Sequence, residues 1–290
     1  MRFRVKISES TGRALRRVCR ESVGHARKQL RQNRPSAIHA ARKDIKKVRA
    51  ALRLVRTETG RDANRKAAKS LRKAADRLAA PRDARVMLRA FENLVQDGGP
   101  RFSKLHQMLQ KHSRREARRF RAEAAMNEAA HLLRKAKRKF ARLKIPADGW
   151  TAFEPGLIRS YSRGRKLFEM AGQKLDSETL HEWRKHVKNF WHQLQLLCPA
   201  WPADTGVFAD RLEQLGGLLG EEHDLCLLKQ FIMGQRAVPG TDTLNRLIDV
   251  RRKKLRASAL KLGAGVYARP TKSVCANLGR QWNQWRQQPR

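Results

Sequence analysis

Apolar side chains recur every three to four positions along almost the whole chain and hardly anywhere at every second one. That spacing turns one side of a helix toward a core and leaves the rest to water. Ala, Leu, Arg, Lys, Glu and Gln fill the segments between breaks, and all are good helix formers. The pattern predicts helices over about 9–32, 36–56, 61–80, 82–96, 101–125 and 127–144, then over 154–174, 177–198, 205–219, 222–235, 240–262 and 270–287. Turn and start signals separate them: Pro35-Ser36, Thr59-Gly60, Pro81, Gly98-Gly99-Pro100, Ile145-Pro146-Ala147-Asp148-Gly149, Cys198-Pro199-Ala200-Trp201-Pro202, Gly216-Gly217 and Val238-Pro239-Gly240. Alternation suited to a strand is confined to the first eight residues. The fold class expected is all-α.

One helical pattern occurs twice. Ile38-His39-Ala40-Ala41-Arg42-Lys43-Asp44-Ile45-Lys46-Lys47-Val48-Arg49 returns as Leu180-His181-Glu182-Trp183-Arg184-Lys185-His186-Val187-Lys188-Asn189-Phe190-Trp191. Counted from the His, both copies carry Arg at the third position and Lys at the fourth and seventh. On a helix these fall at about 0°, 300°, 40° and 340°, a single narrow face. Ile38, Ala41, Ile45, Val48 and Leu52, and in the second copy Leu180, Trp183, Val187, Phe190 and Leu194, fall on an adjoining arc and are the expected core positions. Each helix therefore has a core face with a cationic face beside it. Ser36 and Ser177 are candidate N-caps for the two helices.

The repetition reaches further. Arg82-Asp83 matches His223-Asp224 at an offset of 141, and Arg27-Lys28 matches Arg165-Lys166 at 138. Arg114-Arg115-Glu116-Ala117-Arg118 matches Arg252-Lys253-Lys254-Leu255-Arg256, also at 138. A period near 140 residues is too long for a solenoid. It predicts two helical bundles from an internal duplication, related by a pseudo-two-fold axis. The boundaries expected are 8–145 and 154–262 for the repeats, with 263–290 as a C-terminal helical extension.

The charge gives these faces a meaning. The 290 residues hold 66 Lys and Arg against 26 Asp and Glu, a formal charge of +40. Such an excess repels itself in a folded chain and suggests a polyanionic partner: nucleic acid, an anionic membrane surface or a phosphate polymer. Between 36 and 56 there are seven Lys and Arg and one acid, Asp44. A solvated face would interleave acids at i,i+4; like charges there destabilise the helix without a counterion. No apolar run approaches the ~18 residues of a membrane span, and no secretory h-region is present. Cys19, Cys198, Cys226 and Cys275 show no metal-type spacing, which fits reduced thiols in the cytoplasm.

Catalytic and metal patterns are missing. His181 and His186 look like a zinc-protease pair, but they are five apart rather than four and diverge by about 140° on the helix. No clustered carboxylates for Mg²⁺, phosphate-cradling Gly-rich loop or Ser/His/Asp arrangement stands out. Asp83 and Asp224 read as caps or as fixed ion pairs that orient basic side chains. The expectation is no enzyme, no metal and no cofactor.

Leu180-His181-Glu182-Trp183-Arg184-Lys185-His186-Val187-Lys188, preceded by Gly156-Leu157-Ile158-Arg159-Ser160-Tyr161-Ser162-Arg163-Gly164-Arg165-Lys166, strongly resembles the conserved histidine α-helical domain (CHAD) family. Ile38-His39-Ala40-Ala41-Arg42 with Lys46, Lys47 and Arg49 resembles the family's first-half motif, and Arg82-Asp83 and His223-Asp224 its paired segments. The resemblance covers about residues 8–262. It implies an all-α fold of two bundles, binding of inorganic polyphosphate and a place at polyphosphate granules. It also implies that His39, Arg42, Lys46, Lys47 and Arg49, with His181, Arg184, Lys185 and Lys188, face the polyanion. Lys43 and the matched basic blocks Arg27, Lys28, Arg165, Lys166, Arg114, Arg115, Arg118, Arg252, Lys253 and Arg256 complete the expected binding set. Asn189 and Trp191 depart from the first copy, so that end of the second stripe binds less strongly or packs instead. The alternative is a basic helical nucleic-acid binder, but aromatics are only 6% of the chain, few for base stacking.

Overall fold

The computed structural model describes residues 3–32, 35–59, 61–95, 102–122, 125–235 and 238–288. Among them the chain forms eleven α-helices and no strand: α1 (Thr11–Leu30), α2 (Pro35–Leu54), α3 (Arg61–Arg77), α4 (Ala79–Leu94), α5 (Ser103–Ala122), α6 (Ala125–Ala141), α7 (Trp150–Gln173), α8 (Ser177–Leu197), α9 (Ala203–Met233), α10 (Thr241–Val266) and α11 (Thr271–Arg286). The Gly98-Gly99-Pro100 turn and Gly60 lie outside the described residues. Residues 3–8 make no strand. Phe3 and Val5 are buried, and the Val5 amide donates to the Leu196 carbonyl at 2.9 Å, so the segment docks on the end of α8.

Two apolar cores result. The larger joins α1, α2, α3 and α6 to α7, α8, the front of α9 and α11, around Leu15, Ile45, Leu71, Phe140, Tyr161, Trp183, Phe190 and Trp282. The smaller is built from Ala84, Met87 and Phe91 of α4, Leu105 and Leu109 of α5, Leu225, Leu228 and Ile232 at the back of α9, and Leu244, Ile248 and Leu255 of α10. Each core draws on both sides of the 146–149 connection. α9 enters both.

Among the described residues, that helix contains the one predicted break that does not form. Gly216-Gly217 lies inside the 31-residue α9, where two shorter helices were expected. The glycine at 216 gives close approach instead of a turn: a Cβ there would come within 2.7 Å of Lys188 Cε. In the first half the break near residue 80 is real. α3 ends at Arg77, and Pro81 stands in the first turn of α4, where a missing N–H costs nothing. α9 has no proline at the matching place and continues.

Helix starts also differ from expectation. α8 is capped by Asp176, whose carboxylate accepts from the Thr179 amide at 2.8 Å, and Ser177 is the first helical residue. α2 begins at Pro35, which puts Ser36 inside the helix. Asp83 and Asp224 cap nothing: Asp83 lies in the second turn of α4 and Asp224 in the body of α9.

Both stripe helices bury the expected face. Ala41, Ile45, Val48 and Leu52 are buried, and so are Leu180, Trp183, Val187, Phe190 and Leu194, with Ile38 partly covered at the edge. α2 and α8 pack directly on one another. Arg53 donates to Asn189 Oδ1 at 3.2 Å, and the Gln193 amide donates to the Ala50 carbonyl at 3.3 Å. Sharing a core through adjoining arcs rotates the cationic faces toward a common side.

Candidate anion-binding site

The two cationic faces meet in one seam. Lys46 on α2 is the residue at which this is clearest. It keeps part of its surface in solvent, yet the surrounding protein crowds out water, and Arg184, Arg82, Arg42 and Lys188 repel its charge; together they push the ammonium down to about 7. Two of those four cations are on α8, one on α2 and one on α4. Lys188 is held below its ordinary value by burial and then by Arg184 and Lys43, although Glu213 opposes this. Burial also lowers Arg42 and Arg184 from the usual guanidinium value, with Arg82 adding repulsion to both.

The histidines flank the seam, His39 near the start of α2 and His181 near the start of α8. Burial first, then Lys46, Arg82, Lys43 and Arg89, lower His39. Burial and then Lys185 and Arg184 lower His181. The His181 ring lies 4.2 Å, centroid to centroid, from that of His223 on α9, which burial and these neighbours push down to about 3. All three imidazoles are therefore neutral at pH 7. A ring nitrogen of His181 (Nδ1) and the Nε of Arg184 are buried with no hydrogen-bond partner among the described residues. Buried polar groups are rarely left so, and an anion's oxygens would supply acceptors for such donors.

The residue that ties the seam together is Arg82, which lies outside both stripes and outside the binding set that the sequence predicts. It bonds Asp83 at 2.7 Å and reaches Asp224 at 3.4 Å. Its charge acts on His39, Arg42, Lys46, His181, Arg184 and His223. Asp224, between Arg82 and Arg184, is held above the ordinary carboxyl range by burial despite both arginines. The two aspartates thus act as fixed counter-charges that orient Arg82. The signal available was the match of Arg82-Asp83 to His223-Asp224, but only folding brings residues 141 positions apart onto one spot.

The other expected residues divide into three groups. Lys43 is exposed at the rim of the seam, and Lys185 is exposed with its ammonium 2.6 Å from Glu182. Lys47 instead turns over the Phe3 ring, 5.3 Å from its centroid, and Arg49 senses Asp76 and Arg72 toward α3. Except for Arg114, which lines a cleft with His39 and Arg82, the matched blocks lie apart from the charges that dominate the seam. Arg27 is half-buried on α1 and Lys28 exposed; Arg165 bonds Glu169 on its own helix at 3.2 Å, and Lys166 is exposed. Arg114, Arg115 and Arg118 are exposed on α5. Arg252 and Arg256 clamp the buried carboxylate of Glu222 at 2.8 Å each, and Arg252 also donates to Ser177 Oγ; Lys253 is exposed. That clamp fixes the start of α8 to α9 and α10, so these two arginines hold the seam in shape from behind.

The far end of the second stripe packs. Asn189 is buried and donates to Ser160 Oγ at 3.0 Å; Trp191 is buried under the Lys188 ammonium, 4.4 Å from its ring. Among the described residues no three His, Cys, Asp or Glu side chains group closely enough to hold a metal ion. No described helix is long and apolar enough to cross a membrane. The four cysteines are free thiols, with only Cys198 exposed.

Fold and seam define an all-α protein whose basic helices converge on one polycationic surface. The CHAD domain family model matches residues 13–233, and the chain belongs to that family. Two solved structures share the fold: PptA from Streptomyces chartreusis, at TM-score 0.66 and 16% identity over 90% of this chain and 100% of that one, and the CHAD domain from the plant Ricinus communis, at TM-score 0.63 and 16% identity over 96% of each. No curated protein sequence matches the chain.

Proposed function

We propose that the chain binds inorganic polyphosphate, without catalysing a reaction on it, along the seam formed by α2, α8 and α4. The observation that carries this reading is the convergence of Arg42, Lys46, Arg82, Arg184 and Lys188, from three helices, at a place where burial and then these neighbouring cations push Lys46 down to about 7. A folded chain holds cations together against their own repulsion at a cost; a polyanion lying in the seam relieves it. Arginines offer two donors to each phosphate, and lysines act as mobile point charges. Counterions released from the phosphate chain add to affinity, which makes binding fall with salt. In this reading His39 and His181 bond phosphate oxygens from either side of the seam. The bacterial setting implied by the family resemblance is a polyphosphate granule in the cytoplasm.

Duplex and single-stranded nucleic acid are the competing polyanions. The stripes' large aromatics do not serve base stacking, because Trp183, Phe190 and Trp191 are all buried. A flexible phosphate chain can follow a seam shared by two short helices, whereas a stiff duplex bends only at a cost. Competition binding of polyphosphate against duplex and single-stranded DNA of equal charge, at two salt concentrations, tests the reading. Polyphosphate is expected to win at both; equal or tighter DNA binding favours the nucleic-acid alternative.

A further inference from the structure

A second feature opens beside the seam. Between α4 and α5 on one side and the ends of α1, α2 and α6 on the other lies a cleft of about 460 Å³. This is within the usual range of small-molecule sites. Its walls are aliphatic: Leu30, Ile38, Val86, Leu88, Ala117 and Met126, over a floor that includes the buried Phe120. The cations are on the same cleft. Arg82, Arg85 and Arg89 follow one another at i, i+3 and i+7 along one face of α4, His39 faces them from α2, and Arg114 faces them from α5. Arg85, Arg89 and Arg114 are exposed and make no hydrogen bond or ion pair among the described residues. The polyphosphate reading uses the mouth of this cleft at His39 and Arg82 and leaves its apolar walls without a role.

An apolar cavity edged by unpaired guanidiniums has two complementary halves. The walls favour an alkyl chain, at about 0.8 kcal/mol for each buried methylene. The arginines favour a terminal carboxylate or phosphate. A nucleobase would find few polar partners on these walls, since besides His39 the lining offers only Ser36 and Ser113 as uncharged polar side chains among the described residues. We propose that this cleft binds a single-chain amphipathic anion, an alkyl chain of medium length ending in a carboxylate or phosphate. Its head group sits against Arg82, Arg85 and His39. Because two of those residues also belong to the seam, the amphiphile and the end of a polyphosphate chain exclude one another.

Titration calorimetry on the purified full-length chain tests this with decyl phosphate and decanoate, below their micellar concentrations. Decanol and inorganic phosphate each lack one half of the ligand. Both amphiphiles are expected to bind one per chain, with decanol and inorganic phosphate at least roughly tenfold weaker. Val86→Trp fills the cleft from α4 and Ala117→Phe fills it from α5. Each should weaken decyl phosphate by roughly tenfold or more while polyphosphate affinity changes by less than about twofold, with helix content and melting temperature checked for each variant. Inorganic phosphate binding as tightly as decyl phosphate would overturn the proposal. So would decyl phosphate binding that neither folded variant weakens. Binding seen only to vesicles of anionic phospholipid, with monomeric decyl phosphate left free, would replace the cleft by a membrane surface. If the unmodified chain fails to bind polyphosphate but binds decyl phosphate, the polyphosphate reading falls and this one stands.

Discussion

Lys46 holds an ammonium that is only about half ionised near neutral pH, in a site proposed to receive anions. A bound phosphate would raise its proton affinity again, so binding takes up a proton between the free value near 7 and the higher bound value. Below 7 the lysine is already charged and contributes no slope. Above 7 the affinity for polyphosphate is expected to fall by up to about tenfold per pH unit. Lys46→Arg, charged at every accessible pH, should flatten the profile above 7 and leave affinity at pH 6 nearly unchanged; an equally steep profile in that variant would remove Lys46 from the site. How much of this was legible differs by residue. The register was: every apolar stripe position except the edge residue Ile38 is buried, because a 3.6-residue period is a local property. The partner of each cation was not. Arg252 and Arg184 look alike along the chain, yet one is bound to a buried Glu222 and the other has an unsatisfied Nε in the seam. Lys47 turns over Phe3, because its position at about 80° from His39 lies at the side of the stripe.

At the scale of helices, the seam is a property of how α2 and α8 cross. Arg42→Glu with Arg184→Glu replaces two seam cations, one from each, and should reduce polyphosphate binding at least a hundredfold, on the order of 3 kcal/mol. The same change at the exposed Arg13 and Arg246 alters net charge by the same amount and should weaken binding only slightly. Equal losses in the two pairs, measured by the same titration, would mean that total charge governs binding. Glycines set the fit between helices. Gly216→Ala pushes on the flexible end of Lys188 and is expected to weaken binding several-fold with little loss of stability. Gly263→Ala meets the rigid rings of Phe168 and Trp183, each at 2.8 Å, and should cost about 1–3 kcal/mol in denaturant unfolding. Neither role can be read from a Gly-Gly pair or a lone Gly, both of which signal a turn when only neighbours in sequence are known.

For the molecule as a whole, burial and surrounding positive charge act together on several of its histidines. His186 is pushed down to about 4, and His192 and His223 to about 3, in each case by burial first. The unfolded chain, with ordinary histidines near 6.5, then binds more protons than the folded one between these values. Stability should therefore fall as the pH falls from about 6.5 toward 4. Thermal melts across that range check it, and a flat profile would refute it. The two cores were not separable in the sequence, because periodicity tells which face is buried and not against which helix. Their interlocking has a consequence during synthesis. Among the described residues, the apolar face of α4 and α5, with Met87, Phe91, Leu105 and Leu109, finds its partners on α9 and α10, among them Leu225, Ile232, Leu244 and Leu255. A ribosome adding about 5–20 residues each second takes on the order of ten seconds to make the intervening chain. For that time a greasy, strongly basic hairpin stands outside the tunnel without its other half, and a chaperone or nearby ribosomal RNA is what it will meet first.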